Sequence, residues 1–387
     1  GQVFKLTTRD GGATWYGAEV VNLDNMQGYQ AWSWGYNANG QLGQNNRTNY
    51  SSPIQLSGSW SSFINDNAYT HHTLGVKSNK TLWSWGLNSD GQLGLNDRDQ
   101  RSSPVQIPGT TWSGALAGFY SRASAATKTD GTLWAWGDGG GGGLAQNNRT
   151  DYSSPVQIPG TTWSTDTEKL GAGEFGFGAI KTDGTLWVWG TSQGSNWLGQ
   201  NQSGNQAYSS PVQIPGTTWK SFKGAGYSDR AYGIKTDGTM WAWGTNSSGE
   251  LGQNNAVKYS SPAQIPGTTW SKMHSSAYAS AAIKTDGTLW AWGRNDNAQL
   301  GQNSKVQYSS PVQIPGTTWS SIALGQASVA ATKTDGTLWT WGKGSMGRLG
   351  QNANVDYSSP VQIPGTWVTT QGKLVGRHRM YFALKDE

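Results

Sequence analysis

A tryptophan motif, W-x-W-G, occurs seven times in this 387-residue chain, and its spacing constrains the fold more than any other feature. Successive copies lie 49 to 54 residues apart. The first Trp of each copy is at Trp32, Trp83, Trp134, Trp187, Trp241, Trp290 and Trp339. A period of about fifty residues indicates one supersecondary unit that is repeated and stacked on its neighbours.

Each repeat carries the signals of four short strands. In the copy at 211–259, an apolar run ends at Pro215-Gly216, an alternating run begins at Trp219, and 236–239 (Thr-Asp-Gly-Thr) separates two further runs. Asp-Gly between alternating runs predicts a hairpin, here with a type I′ turn. No segment has the sustained period of a long helix. The sequence therefore predicts an all-β, seven-bladed β-propeller of four-stranded blades.

The two ends of the chain predict how the ring closes. The first W-x-W-G lacks the strand that precedes it in other repeats, and the last strand of that type, at 381–385, has no W-x-W-G after it. We expect the C-terminal strand to pair with the strand at 31–35, which would protect two sheet edges. Residues 1–28 lie outside the repeats and are expected to form an N-terminal extension or docking arm, with the propeller at 29–387.

The repeats account for 21 of the 23 tryptophans. Besides the W-x-W-G pairs, a second set precedes each hairpin: Trp60, Trp112, Trp163, Trp219, Trp270, Trp319 and Trp367. Their periodic placement predicts that both sets pack between blades, and that the indole N–H groups of W-x-W-G bond to backbone carbonyls. Trp15 and Trp197 belong to neither set.

The phrases IKTDGTLWAWG, NSSGELGQNN and YSSPVQIPGTTW resemble the RCC1-type repeat over about residues 29–387. The resemblance implies a seven-bladed propeller, and the near-identical copies are most similar to RCC1-repeat proteins of bacteria and of phages of aquatic bacteria. In this family, which is named for the exchange factor of the small GTPase Ran, each repeat typically has a His five residues before the position held here by Lys. Those positions are His72, Ala123, Gly176, Arg230, Ala279, Ser328 and Met380. With one His in seven, the resemblance does not carry exchange activity.

Composition excludes several function classes. Charged residues make up 13% of the chain, Cys is absent, and the net charge of +5 is not gathered into a basic cluster, so we expect no nucleic-acid partner. No apolar stretch is long enough for membrane insertion. The His, Asp and Glu residues lack metal-ligand spacing, and we expect no catalytic residues, no metal and no cofactor.

Where the repeats diverge, we expect contacts with a ligand or partner. One divergent zone lies a few residues before each repeated Lys, and the other is the loop after W-x-W-G, which is longest in the fourth copy. The candidate binding residues are His72, Arg122, Phe175, Phe177, Trp197, Arg230, Arg377 and Arg379. Trp197 is interpreted either as a binding anchor or as packing of its own lengthened loop.

The leading hypothesis is a non-enzymatic structural or interaction module, a phage virion protein that docks other virion proteins or a host receptor. It places the protein on a virion or an extracellular surface, which the low charge favours. One alternative is a lectin-like propeller in which Trp197, Phe175 and Phe177 stack on a glycan. Another is an RCC1-like regulator or inhibitor that binds a protein partner.

Overall fold

In a computed structural model of the chain, the regular secondary structure of the described residues is almost entirely β-strand. The structure describes residues 28–63, 71–118, 122–173, 175–202, 204–225, 229–370, 373–377 and 380–385, and two N-terminal strands. Only the backbone is described at 116–118, at 377 and in the two N-terminal strands. These two strands, β1 (Gln2–Thr8) and β2 (Trp15–Asn22), pair antiparallel with each other. They lie in the expected N-terminal extension, whose docking role stays a prediction.

The largest sheet has seven strands, and five of them come from the N-terminal part of the chain. These five are β3 (Tyr29–Gly35), β4 (Tyr50–Phe63), β5 (His72–Lys77), β6 (Leu82–Gly86) and β7 (Arg101–Ile107). The long strand β4 pairs with β3 around Leu56 and with β5 around Phe63. One strand thus serves two blades, and we name the blade formed by the end of β4 with β5–β7 blade 1.

Five further blades are separate four-stranded antiparallel sheets. Blade 2 contains β8 (Trp112–Gly118), β9 (Ala123–Lys128), β10 (Leu133–Gly137) and β11 (Tyr152–Ile158). Blade 3 contains β12 (Leu170–Ala172), β13 (Gly176–Ile180), β14 (Leu186–Thr191) and β15 (Ala207–Ile214). Blade 4 contains β16 (Trp219–Gly224), β17 (Arg230–Lys235), β18 (Met240–Gly244) and β19 (Tyr259–Ile265). Blade 5 contains β20 (Trp270–Ser275), β21 (Ala279–Lys284), β22 (Leu289–Gly293) and β23 (Tyr308–Ile314). Blade 6 contains β24 (Trp319–Leu324), β25 (Ser328–Lys333), β26 (Leu338–Gly342) and β27 (Tyr357–Ile363).

The C-terminal strands β28 (Leu374–Arg377) and β29 (Met380–Lys385) complete the seven-stranded sheet. β29 pairs antiparallel with β3, from Met380 opposite Gly35 to Lys385 opposite Gln30. Blade 7 therefore consists of β28, β29, β3 and the start of β4. The predicted fold and the predicted pairing of the two chain ends are both confirmed. Helical structure in the described residues is limited to short 3-10 turns at Gly140–Gly142, Thr167–Lys169 and Ser345–Gly347.

A left-handed asparagine joins each blade to the next. Its φ lies between 52° and 62°, a conformation that Asn adopts more readily than most residues. Its backbone N–H donates to a serine carbonyl of the following blade at 2.7 to 3.0 Å. The seven bonds run from Asn45 to Ser102, Asn96 to Ser153, Asn147 to Ser209, Asn201 to Ser260, Asn254 to Ser309, Asn303 to Ser358 and Asn352 to Ser51. The set includes the joints on both sides of blade 7, so each blade is bonded to both of its neighbours.

The second Trp of each W-x-W-G packs between blades at the same joints. These side chains are fully buried, and each indole N–H donates to a backbone carbonyl of the preceding blade at 2.6 to 3.2 Å. The pairs are Trp34 to Arg348, Trp85 to Gln41, Trp136 to Gln92, Trp189 to Gly143, Trp243 to Trp197, Trp292 to Glu250 and Trp341 to Gln299. The predicted packing and carbonyl bond are confirmed for this half of the motif.

The glycine that ends W-x-W-G is required by the backbone. Gly137 has a φ of 101°, and a Cβ placed there would lie 2.2 Å from the carbonyl oxygen of Arg122. Any other residue at this point would therefore push the two paired strands apart.

The hairpins have a different turn from the one predicted. Lys128 and Thr132 close the turn through the bond from Lys128 N–H to Thr132 O, 2.9 Å, and Gly131 N–H donates to Lys128 O at 3.0 Å. Gly131 is left-handed with a φ of 78°, whereas Asp130 is not. Because three residues lie between the closing pair, the turn is type I followed by a glycine bulge. The hairpin prediction is confirmed, and the type I′ prediction is wrong.

One hairpin has Lys80 where the others have this glycine, and Lys80 keeps the left-handed conformation with a φ of 63°. Such a conformation costs a residue with a Cβ about 1–2 kcal/mol. Glycine avoids this cost, but it also makes the unfolded chain more flexible, which offsets part of the gain. We therefore expect Lys80→Gly to raise the free energy of unfolding, measured in urea titrations, by about 1 kcal/mol. Gly131→Ala is the opposite control, because its Cβ would lie 2.4 Å from the Thr161 carbonyl oxygen. A loss of stability in Lys80→Gly would contradict the prediction.

Two divergent residues form a buried ion pair beside the joint between blades 4 and 5. The Arg230 guanidinium lies 3.2 Å from the Glu250 carboxylate, and both side chains are 2% exposed. Arg230 also donates to the carbonyl of Ala277 in blade 5 at 3.1 Å. In blade 5 the corresponding positions hold Ala279 and Gln299. The carboxylate thus occurs in the repeat that has the arginine.

We expect Glu250→Gln to lower the free energy of unfolding by about 3 kcal/mol, because it leaves a buried guanidinium without its carboxylate. The double variant Arg230→Ala/Glu250→Gln recreates the residue types of blade 5 and should be more stable than Glu250→Gln alone. A double-mutant cycle in urea measures this coupling. Simple addition of the two single losses would show that the pair is not coupled.

A buried histidine gives the fold a dependence on pH. His274 on β20 accepts a hydrogen bond at Nδ1 from the Leu324 N–H of blade 6, 3.2 Å away. Burial, together with the charge of Lys223, lowers the pKa of His274 from 6.5 to about 3. The unfolded chain therefore binds a proton that the folded chain excludes, so stability decreases as pH falls from 6.5 toward 3.

His274→Gln should remove this contribution. The free energy of unfolding of the natural chain should fall between pH 6 and pH 4 by up to about 1.4 kcal/mol per pH unit more steeply than that of the variant. Urea titrations at half-unit pH steps measure the two slopes. Parallel slopes would show that His274 is not the group responsible.

Candidate functional site

The two faces of the ring differ in how strictly they repeat. The hairpin face carries the turns such as 285–288, which precede the W-x-W-G strands. The loop face carries the segments that follow those strands, such as 294–307. Because each W-x-W-G strand runs from one face to the other, its first Trp lies near the hairpin face and its second lies deeper between blades.

The first Trp of W-x-W-G is half-buried, and in every copy except that of Trp32 its indole N–H bonds within its own blade. Trp241 Nε1 donates to the Thr239 hydroxyl at 2.9 Å, and that hydroxyl donates to the Asp237 carboxylate at 2.7 Å. The backbone N–H and hydroxyl of Thr239 lower the pKa of Asp237. The same Trp–Thr bond occurs at Trp83, Trp134, Trp187, Trp290 and Trp339. The expected carbonyl bond is wrong for this Trp, because it stands beside the turn at the surface end of the strand.

A lysine lies between two indoles in every blade. The Lys235 ammonium is 4.2 Å from the ring centroid of Trp241 and 5.0 Å from that of Trp219. Both distances are within the range of cation–π attraction. The equivalent lysines are Lys77, Lys128, Lys181, Lys284, Lys333 and Lys385. Trp219 itself is buried and donates its N–H to the Pro215 carbonyl at 3.3 Å.

These indoles and lysines line clefts between neighbouring blades, which we call the inter-blade clefts. The cleft between blades 3 and 4 has a volume of 360 Å³, that between blades 5 and 6 has 300 Å³, and that between blades 6 and 7 has 400 Å³. The first is lined by Asn201, Pro215, Trp219, Lys235, Trp241 and Pro262, among others. The other two present the same residue types at equivalent positions. Repeated residues that were assigned to packing thus also form surface cavities.

The loop face has a cationic cavity between blades 5 and 6, with a volume of 320 Å³. Its lining includes Tyr278, Arg294, Lys343 and Arg348. The Arg294 guanidinium stacks on the Tyr278 ring at 5.0 Å and pairs with the Asp296 carboxylate. The hydrogen bond from Arg294 is the main cause of the lowered pKa of Asp296. Three cations therefore converge on one cavity, and one of them has a carboxylate partner on the same loop.

Exposed apolar side chains lie on the two loops that form this cavity. Met346 lines it and is 37% exposed, while Val306 and Val355 on the same two loops are each 56% exposed. The position of the two valines is held by Thr48, Asp99 and Thr150 in blades 7, 1 and 2, and by Val257 in blade 4. The loop face of blades 5 and 6 thus combines cations with exposed apolar groups. We name Arg294, Val306, Lys343, Met346 and Val355 the blade 5/6 patch.

The aromatic residues expected to bind a ligand are mostly inside the blades. Trp197 is fully buried and donates its N–H to the Thr191 carbonyl of its own loop at 2.9 Å. Phe177 is buried, 6.3 Å from the ring of Trp189, and Phe175 is half-buried. For Trp197 the structure therefore shows the second interpretation, packing of the lengthened loop, because that loop folds over its own aromatic residue.

The charged candidates are dispersed. His72 is buried and shares a hydrogen bond of 2.8 Å with the Ser124 hydroxyl of blade 2, and Arg230 is in the buried ion pair described above. Arg122 is exposed and lies 3.7 Å from the Asp138 carboxylate. Only the backbone of Arg377 is described, and Arg379 lies outside the described residues. The contacts shown for His72, Arg122 and Arg230 are with three different sets of residues.

The seven positions of the expected family histidine are all buried, each opposite the glycine that ends W-x-W-G. His72 and Arg230, the most polar of the seven, both reach the following blade. The residue at this position therefore reflects packing between blades, and its type does not test exchange activity.

Sequence reasoning missed both surfaces that the structure presents. Arg294 and Lys343 each directly follow a W-x-W-G, in the loop that the sequence showed to be divergent. They line the same cavity because blades 5 and 6 are neighbours. Within the described ranges, no group of three His, Cys, Asp or Glu residues could hold a metal ion. The described part of the chain also contains no helix long and apolar enough to cross a membrane.

Comparison with protein families matches the sequence to the Regulator of chromosome condensation (RCC1) repeat. Five segments match one family model, at residues 30–66, 81–113, 237–283, 286–332 and 335–369. A second model of the same repeat matches residues 67–92. The matched segments cover about half of the chain.

Curated relatives include two proteins of Arabidopsis thaliana. The Ultraviolet-B receptor UVR8 is 27% identical over 64% of this chain and 56% of its own length. The mitochondrial RCC1 domain-containing protein RUG3 is 26% identical over 61% of this chain and 59% of its own length. The chain therefore spans less than two thirds of the length of either relative.

Solved structures show the same fold. Prp20p from Saccharomyces cerevisiae superposes with a TM-score of 0.77 at 17% identity, over 92% of this chain and 91% of its own. Human WBSCR16 superposes with a TM-score of 0.78 at 18% identity, over 93% of this chain and all of its own. Since the repeat itself matches over half of the sequence and the blades are built as described, the chain belongs to the RCC1-repeat family.

Proposed function

We propose that this chain is a protein-binding propeller, without catalytic chemistry of its own, whose blade 5/6 patch docks an acidic and partly apolar segment of a partner. This is the regulator-type role that the sequence left as an alternative. The observation that carries the proposal is the cavity of 320 Å³ in which Arg294, Lys343 and Arg348 converge beside the exposed Met346.

The cations are placed to recognise carboxylates. The Arg294 guanidinium is held on the Tyr278 ring at 5.0 Å, which limits its motion before a partner binds. Arg348 is 2% exposed, and its Nε and Nη2 donate to the Ser345 carbonyl and hydroxyl at 2.9 and 3.0 Å. Guanidinium groups held in this way lose less side-chain entropy on binding a planar carboxylate than mobile ones.

The apolar groups supply the second part of the contact. Met346, Val306 and Val355 are each more than one third exposed on the same two loops as Arg294 and Lys343. Interfaces typically bury apolar anchors at their centre and keep charges at the rim. A partner segment with Leu, Met or Phe next to Asp or Glu would complement both features.

The solved structures agree with a protein as partner. One is titled for the binding properties of Prp20p to Gsp1p and histones, and another shows Kap60 bound to yeast RCC1. UVR8, RUG3, Prp20p and WBSCR16 come from a plant, yeast and human, and they give no support to the phage virion setting. A location on a virion or an extracellular surface stays a prediction, and the regulator-type role is the one we propose.

An array of synthetic peptides with Asp or Glu next to Leu, Met or Phe tests this function. The natural chain should bind a subset of these peptides, and the affinity should decrease as NaCl rises from 50 to 300 mM, because salt screens charge attraction. Arg294→Glu and Lys343→Glu should each weaken the binding at least tenfold, about 1.4 kcal/mol.

Arg149→Glu is the matched control, since Arg149 is exposed on the corresponding loop of blade 2, away from the patch. It should leave peptide affinity unchanged. Equal losses in Arg149→Glu and Arg294→Glu, or no binding to any acidic peptide, would contradict the proposed site.

A further inference from the structure

We infer that the inter-blade clefts are a repeated set of saccharide sites, each of which accepts one pyranose unit of a glycan. This inference does not depend on the proposed function, because no residue of the blade 5/6 patch lines any of the three clefts. The glycan sites expected from the sequence involved other residues, Trp197, Phe175 and Phe177.

Each cleft combines an apolar wall with polar groups at its rim. Between blades 3 and 4, the wall consists of the half-buried Trp241 with Pro215 and Pro262. The rim carries the exposed Asn201 and the Lys235 ammonium. A pyranose has the complementary pattern, since its ring carbons present an apolar C–H face and its edge presents hydroxyl groups. A volume of 360 Å³ also lies in the range of small-ligand sites.

The lysine is the group best placed to fix the orientation of a sugar. Its ammonium is held over two indole rings, at 4.2 and 5.0 Å in the cleft of Lys235. In the part of the chain that the structure describes, the side chain of Lys235 has no ion pair and donates no hydrogen bond to the protein. Its N–H groups can therefore donate to a hydroxyl, a ring oxygen or a carboxylate of the ligand.

Repetition favours a ligand that is itself repetitive. The same residue types line the clefts between blades 5 and 6 and between blades 6 and 7. The segment Ile-Pro-Gly-Thr-Thr-Trp recurs unchanged five times, although its Pro, Gly and Thr residues are exposed. The left-handed backbone accounts for the glycine, but packing does not dictate the exposed Pro and Thr side chains. A polysaccharide could occupy several equal clefts at once, and the combined binding would greatly exceed the affinity of a single cleft.

Two triple variants test the clefts without removing any buried indole. Lys235→Met/Lys333→Met/Lys385→Met removes one ammonium from each of the three clefts. Asn201→Gly/Asn303→Gly/Asn352→Gly removes the amides but retains a residue suited to the left-handed backbone. Lys343→Met is the matched control on the loop face. Thermal melts first establish that all variants are folded.

A glycan array that carries neutral and acidic saccharides provides the readout. The natural chain should bind at least one glycan, and both triple variants should lower the apparent affinity at least tenfold, with Lys343→Met unchanged. Binding only to acidic glycans identifies a carboxylate as the acceptor of the lysine, and binding to neutral ones identifies a hydroxyl or ring oxygen. Titration of the natural chain with the corresponding monosaccharide should show more than one site per chain.

The inference is overturned if no glycan on the array binds, or if a bound glycan is retained at full affinity by both triple variants. Loss of glycan binding in Lys343→Met alone would also overturn it. Arg294→Glu and Lys343→Glu should retain glycan binding while losing the acidic peptide. The two proposals can therefore fail separately.

Discussion

The indole N–H that crosses from one blade to the preceding one is the interaction on which the ring depends. A four-stranded blade presents two flat faces, and indole side chains bury a large area of these faces together with Ala, Leu and Ile. A buried indole N–H without an acceptor would cost about 1–3 kcal/mol. The bond from Trp243 to the Trp197 carbonyl, 2.6 Å, satisfies that donor and also fixes the position of the neighbouring blade. Repeated at all seven joints, with the asparagine bonds beside it, it bonds each blade to both of its neighbours.

Because of this arrangement, residues at the joints between blades and residues in the loops differ in how freely they can be substituted. A charged residue buried at a joint needs a partner of opposite charge, as Arg230 shows, because the arginine is accompanied by Glu250 where blade 5 has Gln299. Loops beyond the end of W-x-W-G also contain joint residues, such as Gln299 and Asn303, but they carry fewer such constraints at their other positions. They differ in length, charge and exposed apolar content from blade to blade, and the blade 5/6 patch is made of these loops. Specific docking is therefore expected where the joints do not reach.

The sequence predicted the number of blades, their strands and the pairing of the two chain ends, because the repeat period and the alternation of apolar and polar residues can be read directly from the order of residues. It failed on the hairpin turn, where Lys128 and Thr132 enclose three residues and not two. It also left open the role of Trp197, since nothing in the order of residues shows that a lengthened loop covers its own indole. Arg294 and Lys343 are 49 residues apart, and only adjacent blades make them neighbours.

Sequence reasoning missed the inter-blade clefts for a different reason. A repeated residue can pack within its blade and also line a cleft at the surface. Trp241 contributes one side to its own blade, through the Thr239 hydroxyl and the Lys235 ammonium, and another side to a cleft shared with blade 3. Its position beside the turn exposes it, whereas Trp243, two residues later, is fully buried. Periodicity alone assigns both to the core. The two indoles differ in their distance from the end of the strand. The first Trp of every W-x-W-G lies next to the turn at the surface and is therefore the one available to a ligand.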